Sequence, residues 1–99
     1  MLSYELTARA EEDLRSVRSW YEQLGQGLGK RVLDAILDVI QLSRQRPTSF
    51  PEVRDGIRVA RCRRFPYRIY FAVTDAGISV LAVYHTSRDP ERWDDPDRE

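Results

Sequence analysis

Six arginines, Arg54, Arg58, Arg61, Arg63, Arg64 and Arg68, fall within fifteen residues of the chain and are opposed there only by Asp55. Such a run sets up a local positive field that attracts phosphate or an acidic protein surface, or else it lines a solvated strand face. His85 is the only histidine, and the only side chain whose unperturbed pKa lies near neutrality, so any proton carried near pH 7 falls to it. Its structural alternative is to hydrogen-bond a backbone group at the end of the last strand and fix the turn that follows. Cys62 stands among arginines with no paired histidine for a thiolate mechanism and reads as inert. One cysteine and one histidine build neither an internal disulfide nor a structural zinc site, so neither metal nor cofactor is expected. Glu11, Glu12 and Asp13, and Asp34 with Asp38, are spaced as solvated helix faces rather than as a catalytic pair. No phosphate loop or nucleotide motif is present.

The elements that must position these residues follow from hydrophobic period. Leu2, Tyr4 and Leu6 alternate with Ser3 and Glu5, the period of a half-buried strand. Thr7 can cap a helix start, with Glu11, Glu12 and Asp13 near the positive end of its dipole. In that helix Leu14, Val17, Tyr21 and Leu24 form one apolar stripe, and Arg15, Arg18, Ser19 and Glu22 fill the other side. Gly25, Gly27 and Gly29 break the pattern. A second stripe then runs from Leu28 through Val32, Leu33, Ile36, Leu37, Val39 and Ile40 until Pro47 forbids continuation. Two helices joined by a short glycine turn predict an antiparallel hairpin.

Beyond Pro47 and Pro51 the period changes to that of strands. Ile57 to Cys62 is short and mixed, Tyr67, Ile69, Phe71 and Val73 alternate with Arg68, Tyr70 and Ala72, and Ile78 to Tyr84 is nearly continuously apolar. Asp75, Ala76 and Gly77 supply a tight turn between the last two, so the three strands should form an antiparallel meander. The expected fold is α+β: an N-terminal strand, a helix hairpin, then the meander, with the helices packed on one sheet face and the other face left to solvent or a partner. If Ile69 and Phe71 meet the helices, Arg68 and Tyr70 point to the open face. Trp20 and Tyr21 are expected in the core, because aromatics dominate core energetics.

Bulk properties bound the rest. With 99 residues, 41% apolar and 32% charged, one globular core is all that fits, and residues 1–99 are expected to form one domain. No stretch approaches the roughly 18 apolar residues of a membrane span, and the N-terminus has no basic-then-apolar leader pattern. No membrane association is expected, and the expected location is the cytoplasm. The formal net charge of zero hides an asymmetry. Residues 1–88 hold 14 basic and 10 acidic side chains, whereas residues 89–99 hold 2 and 6. With Asp89, Pro90, Asp94, Asp95 and Pro96, that tail reads as irregular and acidic.

The segment from Arg64-Phe65-Pro66-Tyr67-Arg68 to Phe71, the run Val80 to Tyr84 followed by His85-Thr86-Ser87-Arg88-Asp89-Pro90, and then Trp93, together resemble the C-terminal half of RelE/ParE toxins. Ala10, Asp13, Leu14, Trp20 and Tyr21, with Pro47 and Pro51 after the second helix, are similar to the rest of that family. The resemblance spans nearly the whole chain and is to the ParE-like, plasmid-stabilisation type. It implies a toxin of a type II toxin-antitoxin system that arrests growth and is neutralised by a cognate antitoxin in a hetero-oligomer.

Two activities go with that resemblance. RelE-like members cut messenger RNA on the ribosome, and ParE-like members bind DNA gyrase. Cutting RNA by internal 2'-hydroxyl attack needs a proton acceptor, a proton donor and cations on the transition state. On the resemblance His85 with Arg61, Arg68 and Arg88 would supply them. Where ribonuclease members often carry a tyrosine or a His-Tyr pair near the C-terminus, this chain has Trp93, whose indole exchanges no proton usefully. The body is only mildly basic for an RNA cavity, and the acidic tail opposes RNA further. The expectation is therefore a gyrase inhibitor, with the ribosome-dependent endonuclease as runner-up and a non-catalytic protein-binding module as a third reading. Candidate residues for target or antitoxin binding are Arg58, Arg61, Arg64, Arg68, Arg88 and Trp93, the last either packing over the sheet end or anchoring a partner.

Overall fold

The glycines between the two apolar stripes turn the chain back on itself, and the alternating segments after Pro51 pair as strands. The computed structural model describes residues 3–87. In order they form β1 (Ser3–Leu6), α1 (Ala8–Leu24), α2 (Leu28–Gln45), a 3-10 turn (Pro47–Ser49), β2 (Glu52–Arg54), β3 (Ile57–Cys62), β4 (Tyr67–Val73) and β5 (Gly77–His85). The five strands make one sheet in the order β1-β5-β4-β3-β2. Neighbours are antiparallel except β1 and β5, which run parallel with Ser3 beside Gly77 and Leu6 beside Val80.

The helix boundaries have local causes. Thr7 is the N-cap of α1, its Oγ1 accepting the Ala10 N–H at 3.1 Å. Gly27 enters α2 at φ 84°, a left-handed conformation that costs glycine little. Glu22 then reaches across the hairpin and accepts the Gly27 and Gly29 N–H groups at 3.0 and 2.9 Å. Those first N–H groups of α2 have no partner within their own helix, so Glu22 acts as a cap supplied from the preceding helix. Pro47 stops α2 two residues after Gln45, as its missing N–H requires.

Both helices cover one face of the sheet. Leu14 and Val17 of α1, and Val32, Ile36 and Ile40 of α2, meet Ile69, Phe71, Ile78 and Val80, all buried. Burial of each larger side chain here contributes about 1.5–3 kcal/mol. Tyr21 joins this core edge-on to Phe65, with ring centroids 5.3 Å apart. Trp20 does not: it lies off the stripe and is 46% exposed. Leu24, at the end of the stripe, is 63% exposed.

Three features go beyond the sequence expectation. β2 is an extra strand, turned onto β3 through Asp55-Gly56 with Gly56 at φ 80°. In β5, Tyr70 stands opposite Ala82 and Phe71 opposite Val80, so Leu81 is a bulge. This extra residue shifts the alternation and carries Val83, rather than Ala82, to the helix side. Finally, the face away from the helices is not bare: Tyr70, Ala82 and Tyr84 are buried there, with Val53, Ile57 and Val59 packed against them. Among the described residues no helix is long and apolar enough to cross a membrane.

Candidate target-binding face

Strand register sorts the candidate residues by face. Arg61 of β3 stands directly opposite Arg68 of β4, and Arg68 opposite Tyr84 of β5. These three lie in one row across the face away from the helices, at about 4.8 Å per strand. Like charges placed directly across a sheet are destabilising by a few tenths of a kcal/mol to about 1 kcal/mol. Arg61 is exposed and Arg68 half-buried.

The row is extended by a residue from the first helix. Arg9 lies with its guanidinium carbon 5.0 Å from the centre of the Tyr84 ring, within range of a cation-π contact. Its Nε donates to both oxygens of Asp13 at 3.1 and 3.2 Å. Burial works against the Arg9 charge, but the hydrogen bond and charge of Asp13 outweigh it, and Tyr84 adds to them, so the guanidinium is held yet more firmly protonated. Tyr84 in turn packs on Tyr70 with ring centroids 5.6 Å apart. The outcome is a buried pair of tyrosines flanked by cations, Arg61 and Arg68 on one side and Arg9 on the other.

Asp13 anchors this corner. β1 ends at Leu6, beside Val80, so among the described residues no strand lies along the outer edge of β5 beyond that point. The start of α1 takes over. The Thr7 N–H donates to the Val80 carbonyl at 3.1 Å, Thr7 Oγ1 donates to the Leu81 carbonyl at 3.1 Å, and Asp13 Oδ2 accepts the Val83 N–H at 2.9 Å. Asp13 is therefore not a solvated helix acid. Glu12 and Asp34 are, each paired on its own helix with Arg15 and Lys30.

The remaining candidates separate from the row. Arg58 stands opposite Phe71, on the helix side, where its Nη1 donates to the Phe50 carbonyl at 2.6 Å and its Nη2 lies 3.6 Å from Glu52. It holds the chain between α2 and β2, a local structural task. Arg64 is exposed in the β3–β4 turn. His85 stands opposite Tyr67, whose ring belongs to the helix-side core, and packs edge-on to it with centroids 5.2 Å apart. Its Nδ1 accepts the Ser87 N–H at 3.1 Å, a bond that fixes the turn after β5. His85 and the Arg61–Arg68 pair thus lie on opposite faces of the sheet. Arg88 and Trp93 lie outside the described residues. Cys62 is buried, and among the described residues no three His, Cys, Asp or Glu side chains converge to hold a metal.

Arg9, Asp13 and Tyr84 were absent from the sequence-based candidates. The spacing of Arg9 and Asp13 by four on a helix signals a pair, but nothing local signals that the pair sits against a strand some 70 residues on.

A family model for the ParE toxin of type II toxin-antitoxin systems, parDE, matches residues 4–90. No curated protein matches. Among solved structures, the chromosomal ParDE toxin-antitoxin system from P. aeruginosa is similar at TM-score 0.65 and 22% identity, over 88% of this chain and 98% of that one. The archaeal RelE-RelB complex from Pyrococcus horikoshii OT3 is similar at TM-score 0.52 and 15% identity, over 89% and 98%. At these identities the two structures speak for a shared fold.

Proposed function

The chain belongs to the ParE toxin family of type II toxin-antitoxin systems, and on that premise we propose that it inhibits DNA gyrase by binding it and is neutralised by a cognate antitoxin. The match of the ParE family model over residues 4–90 carries this reading. The geometry supports binding over catalysis. A nuclease of this size would need its proton carrier beside the cations that steady the scissile phosphate. The only histidine faces away from the arginine row and uses Nδ1 to accept a backbone N–H. The row itself presents Arg61, which is exposed, and Arg68, which is half-buried, and arginine is enriched at protein-binding surfaces.

The RelE-like endonuclease reading keeps one specific observation in its favour, the adjacent pair Arg61 and Arg68, which could grip a phosphate. The two readings differ in the order of events in a poisoned cell. Induction without antitoxin should stop growth, with loss of plasmid supercoiling and DNA damage preceding any fall in translation. Co-expression of the antitoxin should restore growth. Normal growth with soluble, folded protein accumulating would remove the toxin reading for this copy, and early messenger loss with supercoiling intact would transfer it to the ribosome.

A further inference from the structure

On the far side of the sheet from β1, the outer edge of β3 is covered only at its start. β2 pairs with it at Ile57 and Arg58, and the Val59 N–H donates to the Pro51 carbonyl at 3.1 Å. Pro51 has no N–H to return, so the pairing stops there. Backbone groups alternate in direction along a strand, so the Arg61 N–H and carbonyl point outward as those of Val59 do. Among the described residues, no strand or backbone group meets the Val59 carbonyl or either group of Arg61. Beside this edge lies a groove of about 320 Å³, lined with apolar surface by Val39, Leu42, Phe50 and Val59 and rimmed by Arg61 and Arg63. Leu42 is 46% exposed, and neither rim arginine makes an ion pair among the described residues.

We propose that this edge takes an extended segment of a protein partner as a further antiparallel strand, with an acidic residue opposite Arg61 and an apolar residue on either side of it. The backbone is the first argument. An outward N–H and carbonyl on one residue can exchange both hydrogen bonds with a residue of an added strand, and so fix its register. Alternation is the second. Val59 and Arg61 face away from the helices, so a residue opposite Arg61 shares that face, and its two neighbours point to the α2 side. There Val39, Leu42 and Phe50 wait in the groove. Charge is the third: Arg61 already stands opposite Arg68, and a carboxylate beside it relieves a like-charge contact. The same charges oppose a second copy in this place, because two such edges paired together would bring the Arg61 and Arg63 side chains of both copies close to one another. A charged side chain also blunts a strand edge against aggregation, but that role calls for no apolar groove beside it.

Backbone pairing supplies orientation and the groove supplies apolar burial, so the edge selects by pattern, apolar then acidic then apolar, as well as by net charge. This inference concerns how a partner is held at the β3 edge and stands whether the target is gyrase or the ribosome.

The probe is a capped, fluorescein-labelled heptapeptide of alternating valine and glutamate, titrated with the purified full chain and read by fluorescence anisotropy. Binding should saturate and should weaken as salt screens the charges. Lysine in place of glutamate should weaken it by about tenfold or more. N-methylation of the glutamate amides, which would face β3, should cost about tenfold, whereas the same change at the valine amides, which would face away, should cost little. These peptide comparisons need no variant of the chain. Arg61→Glu should reject the glutamate peptide and accept the lysine one, and Leu42→Ser should weaken binding severalfold, with circular dichroism checking that each variant is folded. Absence of saturable binding overturns the proposal. N-methylation that acts alike at both sets of amides removes the strand pairing and overturns it equally, as does binding indifferent to Arg61→Glu and Leu42→Ser. Dimers in sedimentation that the peptide dissociates assign the edge to a second copy and overturn it too. None of these measurements involves gyrase or the ribosome, so failure here leaves the supercoiling prediction as it stood.

Discussion

The carboxylate of Asp13 takes the Val83 N–H, at the place where β1 has ended and β5 would otherwise present an unsatisfied donor. Its side chain is only 17% exposed, and hydrogen bonds to charged acceptors contribute about 1.5–3 kcal/mol. Asp13→Ala should therefore cost a loss of that order in urea unfolding, and should free Arg9 from its place over Tyr84. Asp34→Ala, which removes an exposed pair with Lys30, should cost less than about 1 kcal/mol. Equal effects in the two variants would show that the cross-sheet bond is not made in solution. The difference was not legible in the sequence, where both acids look like helix-face residues, because the partner of Asp13 is a backbone group distant in the chain. His85 was legible only as an alternative between proton carrier and turn fixer. The Ser87 N–H on its Nδ1 and the edge contact with Tyr67 make it part of the strand end. His85→Gln should keep the fold, losing about 0.5–1.5 kcal/mol with the ring contact, as thermal unfolding would record.

At the scale of elements, hydrophobic period gave the two helices and the three long strands, since each buries a face wide enough to leave a pattern. It also gave the antiparallel meander of β3, β4 and β5, but not where β1 joins the sheet. β1 lies parallel to β5, and the parallel register follows from Gly77, at φ 154° and so close to Ser3 that an added Cβ would overlap the Ser3 carbonyl. The sequence marks Gly77 as a turn glycine, whereas its tighter constraint is the neighbouring strand. Gly77→Ala should detach β1, read as rapid amide exchange at residues 3–6 and a lower melting temperature. Unchanged exchange there would contradict the close approach. β2 escaped detection because three residues carry no period, although Asp55-Gly56 is a hairpin signal. The helix hairpin is pinned by Glu22, whose carboxyl the Gly27 and Gly29 N–H groups hold below the usual carboxylate range. A folded-state pKa below the unfolded one stabilises fully above the unfolded value, and that contribution is lost as pH falls through the folded one. Glu22→Gln should thus flatten the acid limb of the stability profile and leave its slope at neutral pH unchanged. An unaltered acid limb would mean that the cap is not formed.

For the whole molecule, the helices cover one face of the sheet, and on the other Tyr70 and Tyr84 are buried with Arg9, Arg61 and Arg68 around them. Sequence reasoning reached the arginines because they cluster along the chain, and it placed Arg68 on the open face by alternation alone. It could not separate Arg58 from Arg61, because β3 register decides which arginine faces the helices. The same register sets His85 on the helix side of the sheet, away from Arg61 and Arg68, and the proposed binding activity rests in part on that separation. The direct comparison is between purified gyrase, assayed for supercoiling, and programmed ribosomes, assayed for messenger cleavage, each with the wild-type chain and with His85→Gln. Both forms should block supercoiling to a similar extent and leave messenger intact. Codon-associated cuts by the wild type that vanish in His85→Gln, with gyrase unaffected, would contradict the account and make the chain a ribonuclease.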